Sequence, residues 1–325
     1  MRLPILVLCT SLLSCMPAAA LTPVEPDRRI AITVDDLPWA GLGSHPPRIP
    51  APELLAGHHR LVAAIRAADA PVTGFVNEIK LEVDGEVVPE RLQMLRDWLD
   101  AGAQLGNHTH GHVDLHAVGL PAYQDDILKG ERQLRPLLAE RGAAPEWFRH
   151  PYLRAGRTAE DKAALAAFLA EHGYRIAPVT VDNSDWIWAL AYRKVLEQGG
   201  DVATLQRLRE EYVPYMLAKL DYYERFSIAL LGYALPQTWL LHANQINADT
   251  YPALLAGVHA RGYRVVPLAE AMRDPAYARA DAYTGRWGPS WLHRWAIGED
   301  KPPEFFAGEP RTPRWVLDLA GIDSE

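Results

Sequence analysis

From about residue 30 onward, short apolar runs rich in β-branched residues alternate with amphipathic stretches of helical period. The apolar runs cover residues 30–34, 72–76, 104–106, 146–148, 175–181, 239–241 and 263–266. The helical stretches cover 53–68, 89–101, 123–141, 158–172 and 249–261; in the first, Leu54, Leu55, Leu61, Val62 and Ile65 share one face. Gly102, Gly142, Gly173 and Gly262 follow four of these stretches, where a left-handed C-cap is expected. Strands alternating with helices predict an α/β chain with a mainly parallel sheet, either a barrel or an open doubly wound sheet. In both, function sits at the carboxyl ends of the strands.

The alternation stops at two places. Residues 187–237 read as helix throughout, with Leu205, Leu208, Tyr212, Met216, Tyr223 and Phe226 at near-helical spacing and a kink expected at Pro214. This is an inserted helical pair packing on the sheet, with a lid as the sharper alternative. The tail 274–325 carries Trp287, Trp291, Trp295 and Trp315, which are expected to staple it to the core.

The first twenty residues differ in kind. Arg2, the apolar run 3–13, Pro17 and Ala18-Ala19-Ala20 have the order of an export signal with a small-residue cleavage site. Leu12-Leu13-Ser14-Cys15 also resembles a lipoprotein box, which would leave Cys15 acylated at the mature N-terminus. The expected division is therefore a signal peptide over 1–20, a main domain over 21–273 and the tryptophan-rich extension. The mature protein is placed in the periplasm or outside the cell.

Composition narrows the chemistry. Cys9 and Cys15 are the only cysteines, so cleavage after Ala20 removes every thiol and leaves only nitrogen and oxygen ligands for a metal. Loss of Arg2 on cleavage takes the basic residues from 33 to 32 against 41 acidic, a formal charge of −9. A mildly acidic chain without basic runs argues against nucleic acid and anionic membrane as partners. No run reaches the roughly 18 apolar residues of a transmembrane helix. There is no Gly-x-Ser-x-Gly elbow, no phosphate loop and no dinucleotide fingerprint.

Asp35-Asp36 ends the first apolar run, and two adjacent carboxylates there require a cation or a hydrogen-bond cluster if buried. His108-Thr109-His110-Gly111-His112 offers a partner, and the two features together point to a mononuclear metal site. The i, i+4 spacing of His108 and His112 places both imidazoles on one side if a helical turn starts there. His110 and His116 do not fit that spacing with a Ser or Thr directly after the first histidine, as Thr109 follows His108, and are read as bystanders.

Three further fragments complete an ordered set: Arg149-His150-Pro151-Tyr152, Asp182-Asn183-Ser184-Asp185-Trp186 and Leu240-Leu241-His242. With Thr33-Val34-Asp35-Asp36 and the histidine cluster, they resemble the five motifs of the polysaccharide deacetylase family, the NodB homology domain of carbohydrate esterase family 4. The resemblance spans residues 30 to about 273 and implies a distorted (β/α) barrel of about seven strands. It implies that Asp36, His108 and His112 bind Zn²⁺ or another divalent transition metal, which activates water and polarises the acyl carbonyl. It makes Asp35 the general base, His242 the general acid and the backbone N–H of Tyr152 an oxyanion donor. Arg149, Asp182 and Asp185 would orient and charge-tune Asp35 and His242, in a pairing left open, and Trp186 and Leu240 would wall the acetyl pocket.

The expected activity is removal of N-acetyl groups from an amino-sugar polymer or oligosaccharide, with an acetylated carbohydrate as partner. O-Deacetylation of a polysaccharide is the alternative within the same machinery. A carbohydrate-binding protein without catalysis is the alternative of a different class.

Overall fold

The computed structural model describes residues 27–43 and 51–325. The export segment, with Cys9 and Cys15, lies outside the described residues. Among the described residues nine strands are present: β1 (Arg29–Leu37), β2 (Val72–Val76), β3 (Glu82–Val83), β4 (Glu86–Val87), β5 (Gln104–Asn107), β6 (Trp147–Phe148), β7 (Arg175–Ile176), β8 (Gln237–His242) and β9 (Arg264–Val265). The helices are α1 (Ala51–Ala68), α2 (Pro89–Asp100), α3 (Leu115–Val118), α4 (Leu120–Lys129), α5 (Leu134–Ala139), α6 (Ala159–Glu171), α7 (Asp185–Glu197), α8 (Val202–Leu231), α9 (Gln245–Ala260), α10 (Leu268–Ala271), α11 (Trp291–Gly298) and α12 (Arg314–Ala320). Among the described residues no helix is long and apolar enough to cross a membrane.

Seven strands form one parallel sheet in the order β7-β6-β5-β2-β1-β8, with β9 also paired to β1; β3 and β4 make a separate antiparallel ribbon. The sheet curls into a distorted barrel. A single segment joins its two edges: Arg175 and Ile176 pair with β6, and five residues later Val181 bridges to Trp239 of β8. Pro178 lies between these pairings and has no N–H to offer a ladder, so one long strand becomes two short contacts.

Alternation along β1 sorts its side chains. Ile30, Ile32 and Val34 enter the large core that also holds residues of α1, α8 and α9, whereas Ala31 belongs to a separate cluster with Phe75, Trp147, Ala177 and Val266. Above Ala31 on the same face, the Thr33 hydroxyl accepts from Arg149 Nη2 at 2.7 Å, and the next residue in that row is Asp35. A regular strand would turn Asp36 to the opposite face. Instead the β1–β2 register slips between Val34 and Leu37, and Asp36 adopts a left-handed φ of 69°. This bulge brings both carboxylates to the barrel mouth.

One local expectation is corrected. The stretch 123–141 is not one helix but α4 and α5, broken after Lys129. A Cβ on Gly130 would lie 2.7 Å from the Thr109 carbonyl carbon, so the chain passes too close to the histidine loop for a side chain. The Glu78 carboxylate accepts from the N–H groups of Gln133 and Leu134, capping α5 where the new helix starts. Pro214 lies inside α8 without ending it; α7 and α8 form the helical pair at this place in the chain. In the tail, Trp291 and Trp295 are buried and Trp315 donates to Glu211 at 2.9 Å, whereas Trp287 is 60% exposed.

Candidate active site

Asp36, His108 and His112 converge, with one ligand atom from each lying within 4.8 Å of the others. The Asp36 Oδ1 atom is 3.9 Å from His108 Nε2 and 3.7 Å from His112 Nε2. These spacings exceed a hydrogen bond, and Oδ1 is buried with no partner. Donors about 2.1 Å from a tetrahedral Zn²⁺ lie about 3.4 Å apart, so a slight contraction seats a cation. His108 Nδ1 donates to the Arg149 carbonyl at 2.8 Å, which turns the lone pair of Nε2 toward Asp36. Burial pushes the pKa of both imidazoles down, keeping them neutral as ligation requires. Burial opposes the charge on Asp36, but Lys80 and then His112 override it and hold the carboxyl far below its usual range. The donor set fits a divalent transition metal.

No helical turn carries the two histidines. Residues 108–112 form a loop with left-handed backbone at Thr109 (φ 66°) and His112 (φ 51°), and the Thr109 hydroxyl accepts the His112 N–H at 3.0 Å. The i, i+4 spacing therefore works through a compact loop, not through the helix expected. Tyr152, also left-handed at φ 55°, sets its ring edge-on to His112 with centroids 4.6 Å apart.

Asp35 is buried at 2% exposure beside this trio, with Oδ2 3.8 Å from His108 Nε2 and Oδ1 3.7 Å from Arg149 Nε. Burial lifts its pKa to about 6, against the pull of Arg149. The Arg149 guanidinium is itself fully buried, 4.7 Å from the Phe75 ring centroid.

On the other side of Asp35, β8 delivers His242, whose Nδ1–H donates to Asp185 Oδ1 at 2.6 Å. The second Asp185 oxygen accepts from the His242 backbone N–H at 2.9 Å and from Asn247 Nδ2 at 3.0 Å. Burial would lower the His242 pKa, but the Asp185 carboxylate reverses this and holds it at about 9. The pairing left open by the motifs is thus Arg149 with Asp35 and Asp185 with His242. Asp182 hydrogen-bonds to neither; its carboxylate accepts from the Asn183 N–H, and burial raises its pKa to about 6.

A cavity of about 230 Å³ opens at Asp36 and His242, lined also by Trp39, Trp186, Arg193 and Gln245. Trp186 is 48% exposed and stands at this wall. Leu240 is not among the residues lining this cavity: it is buried, on the same face of β8 as His242 but two residues deeper in the sheet. The motifs also passed over Thr33, Asn247, Trp39 and Lys80. None carries a sequence signal of its own, except that Asn247 follows the helix-capping Asn244 just after His242.

Residues 23–176 match the family model for polysaccharide deacetylase. A peptidoglycan-N-acetylglucosamine deacetylase from Bacillus cereus is 34% identical over 85 residues, 26% of this chain and 28% of that protein. The aligned stretch thus spans little more than a quarter of that relative. Among solved structures, a CE4 family pseudoenzyme from Bacillus anthracis superposes with a TM-score of 0.50 at 14% identity, covering 78% of this chain and 70% of the other. A mutant of a CE4 family pseudoenzyme with restored enzymatic activity gives a TM-score of 0.50 at 15% identity, with 78% and 72% covered. At such identities these two likenesses speak for the fold alone. Sequence model and fold agree, and over residues 23–176 the chain matches the polysaccharide deacetylase family.

Proposed function

We propose that this protein is a secreted, metal-dependent deacetylase that hydrolyses N-acetyl groups on an amino-sugar polymer or oligosaccharide and releases acetate. One observation carries the reading: three metal-type donors, the Asp36 oxygen among them without a partner, face one another between a buried carboxylate and a carboxylate-held imidazole. A divalent cation held by Asp36, His108 and His112 would polarise the acyl carbonyl and acidify water. Asp35 is suited to take the proton from the attacking water, since with its pKa at about 6 it is anionic at neutral pH yet basic enough to accept. His242, held near 9, is protonated at neutral pH and suited to protonate the leaving amine. The Tyr152 N–H, presented on a left-handed turn beside His112, is suited to receive the developing oxyanion. Trp186, about half exposed at the cavity wall, supplies an aromatic face for a sugar ring. Export rests on the character of residues 1–20.

The test is acetate release by the metal-quantified mature protein from N-acetylglucosamine oligomers, from peptidoglycan, which the name of the Bacillus cereus relative suggests, and from acetylated xylan. Release from the first two supports the proposal. Release from xylan alone selects the O-acetyl esterase reading. Glycan binding without release from any of them selects the non-catalytic one. Full turnover by Asp35→Asn or His242→Ala would overturn the assigned base and acid.

A further inference from the structure

We propose that Lys80 is a positioning residue of the metal centre: its ammonium holds one oxygen of Asp36, aims the other at the two histidines, and weakens the grip on the cation. The inference rests on the metal-centre reading above and deepens it. Lys80 Nζ lies 3.4 Å from Asp36 Oδ2, and its side chain is 9% exposed. The opposite oxygen, Oδ1, is the one that faces His108 and His112. The carboxylate is thereby divided between an ammonium and the imidazole pair.

The lysine is built into this place. It sits on the 3-10 turn Glu78–Leu81, directly after β2. Asn77, which opens the turn, donates its side-chain amide to the His108 carbonyl. The Ile79 N–H donates to the His110 carbonyl at 3.0 Å, and the Lys80 carbonyl accepts from Arg91 Nη1 at 3.1 Å. The turn is therefore fastened to the same loop that carries both histidine ligands, and the ammonium is delivered with them. Glu82, two residues on, is engaged by His110 Nε2 at 3.2 Å.

A buried ammonium sharing a carboxylate with a dication does two opposed things. It fixes the carboxylate rotamer, which favours binding. It also repels the cation and draws electron density from the ligand, which disfavours binding and leaves the bound cation a stronger Lewis acid. Orientation needs only a donor, whereas repulsion needs the charge. Lys80→Gln separates them, because an amide can still donate to Asp36 Oδ2 but carries no charge.

Zn²⁺ affinity is measured by competition with a chromophoric chelator on folded Lys80→Gln, Lys80→Arg and wild-type protein, with kcat and KM taken separately. Lys80→Gln is expected to bind Zn²⁺ about tenfold tighter and to lose kcat with little change in KM. Lys80→Arg, which keeps the charge, is expected to stay close to wild type. Zn²⁺ binding by Lys80→Gln that is unchanged or weaker would overturn the inference; if that variant does not fold, Nε-acetyl-lysine installed at position 80, which keeps an N–H donor without the charge, takes its place under the same criterion. The titration does not depend on turnover. Tighter binding in a protein that releases acetate from no glycan would sink the proposed function and leave the role of Lys80 standing, whereas a wild type that takes up no metal would end both.

Discussion

Among the described residues two clusters of histidine and aspartate offer ligand-type atoms within 4.8 Å of one another, and their spacing separates them: Asp36 with His108 and His112, and His58 with His59 and Asp97. In the second, His58 is fully buried on α1 and its Nε2 bonds Asp97 Oδ2 of α2 at 3.0 Å. That contact pairs Nε2 with a carboxylate oxygen at hydrogen-bond distance and fastens two helices together. In the first, the corresponding distances are 3.7 and 3.9 Å and the carboxylate oxygen has no partner. The same residue types thus make a closed structural tie in one place and an open donor set in the other. Proximity alone does not mark a metal site; what marks it is donors held slightly too far apart to satisfy each other.

The largest expected effect tests the open cluster. Asp36→Ala should abolish stoichiometric metal uptake and cost about three orders of magnitude in kcat/KM, since a Lewis acid contributes several kcal/mol to the barrier. Metal analysis of the purified variant, with His58→Ala as the comparison, checks this; the comparison protein should retain its metal.

A smaller effect concerns the acid side. Asp185→Asn removes the charge that holds His242 protonated, so the alkaline limb of kcat/KM should move down from about 9 toward the ordinary histidine range. Activity at pH 8 should fall about tenfold or more, while activity near pH 6.5 changes less. A pH–rate profile in which that limb stays in place would detach Asp185 from proton transfer.

Smaller again is the structural tie. His58→Ala should lower stability by roughly 2 kcal/mol, a few degrees in Tm, through lost packing and a broken α1–α2 contact, with kcat unchanged. Thermal unfolding beside an activity assay reads both.

The pH dependence of stability sharpens the contrast most finely. Burial lowers the pKa of His58 in the folded state despite Asp97, so the unfolded chain binds the proton more readily. Stability from this group is complete above about pH 6.5 and is lost as the pH falls below it. His58→Phe should flatten that part of the stability curve as read by denaturant unfolding, and an unaltered slope would assign the loss to other buried histidines.

Much of this protein was legible in one dimension. The strand runs, four glycine C-caps and the metal-type donors follow from period, residue type and position at strand ends, because those properties are local, whereas the acid–base candidates came from the resemblance of the ordered motifs to the polysaccharide deacetylase family. What the chain could not disclose was pairing across distance: that Asp185 meets His242 57 residues away, that Arg149 lies against Asp35, and that Lys80 reaches Asp36. Nor could period predict its own failures. Strand alternation assigns Asp35 and Asp36 to opposite faces, and only the bulge against β2 brings them together. Helical period runs unbroken past Gly130, and only the closeness of the Thr109 backbone stops it. Local sequence specifies conformational preference and chemistry, whereas departures from regular geometry are imposed by neighbours remote in the chain, which is why the candidate site owes its residues to the sequence and its geometry to the fold.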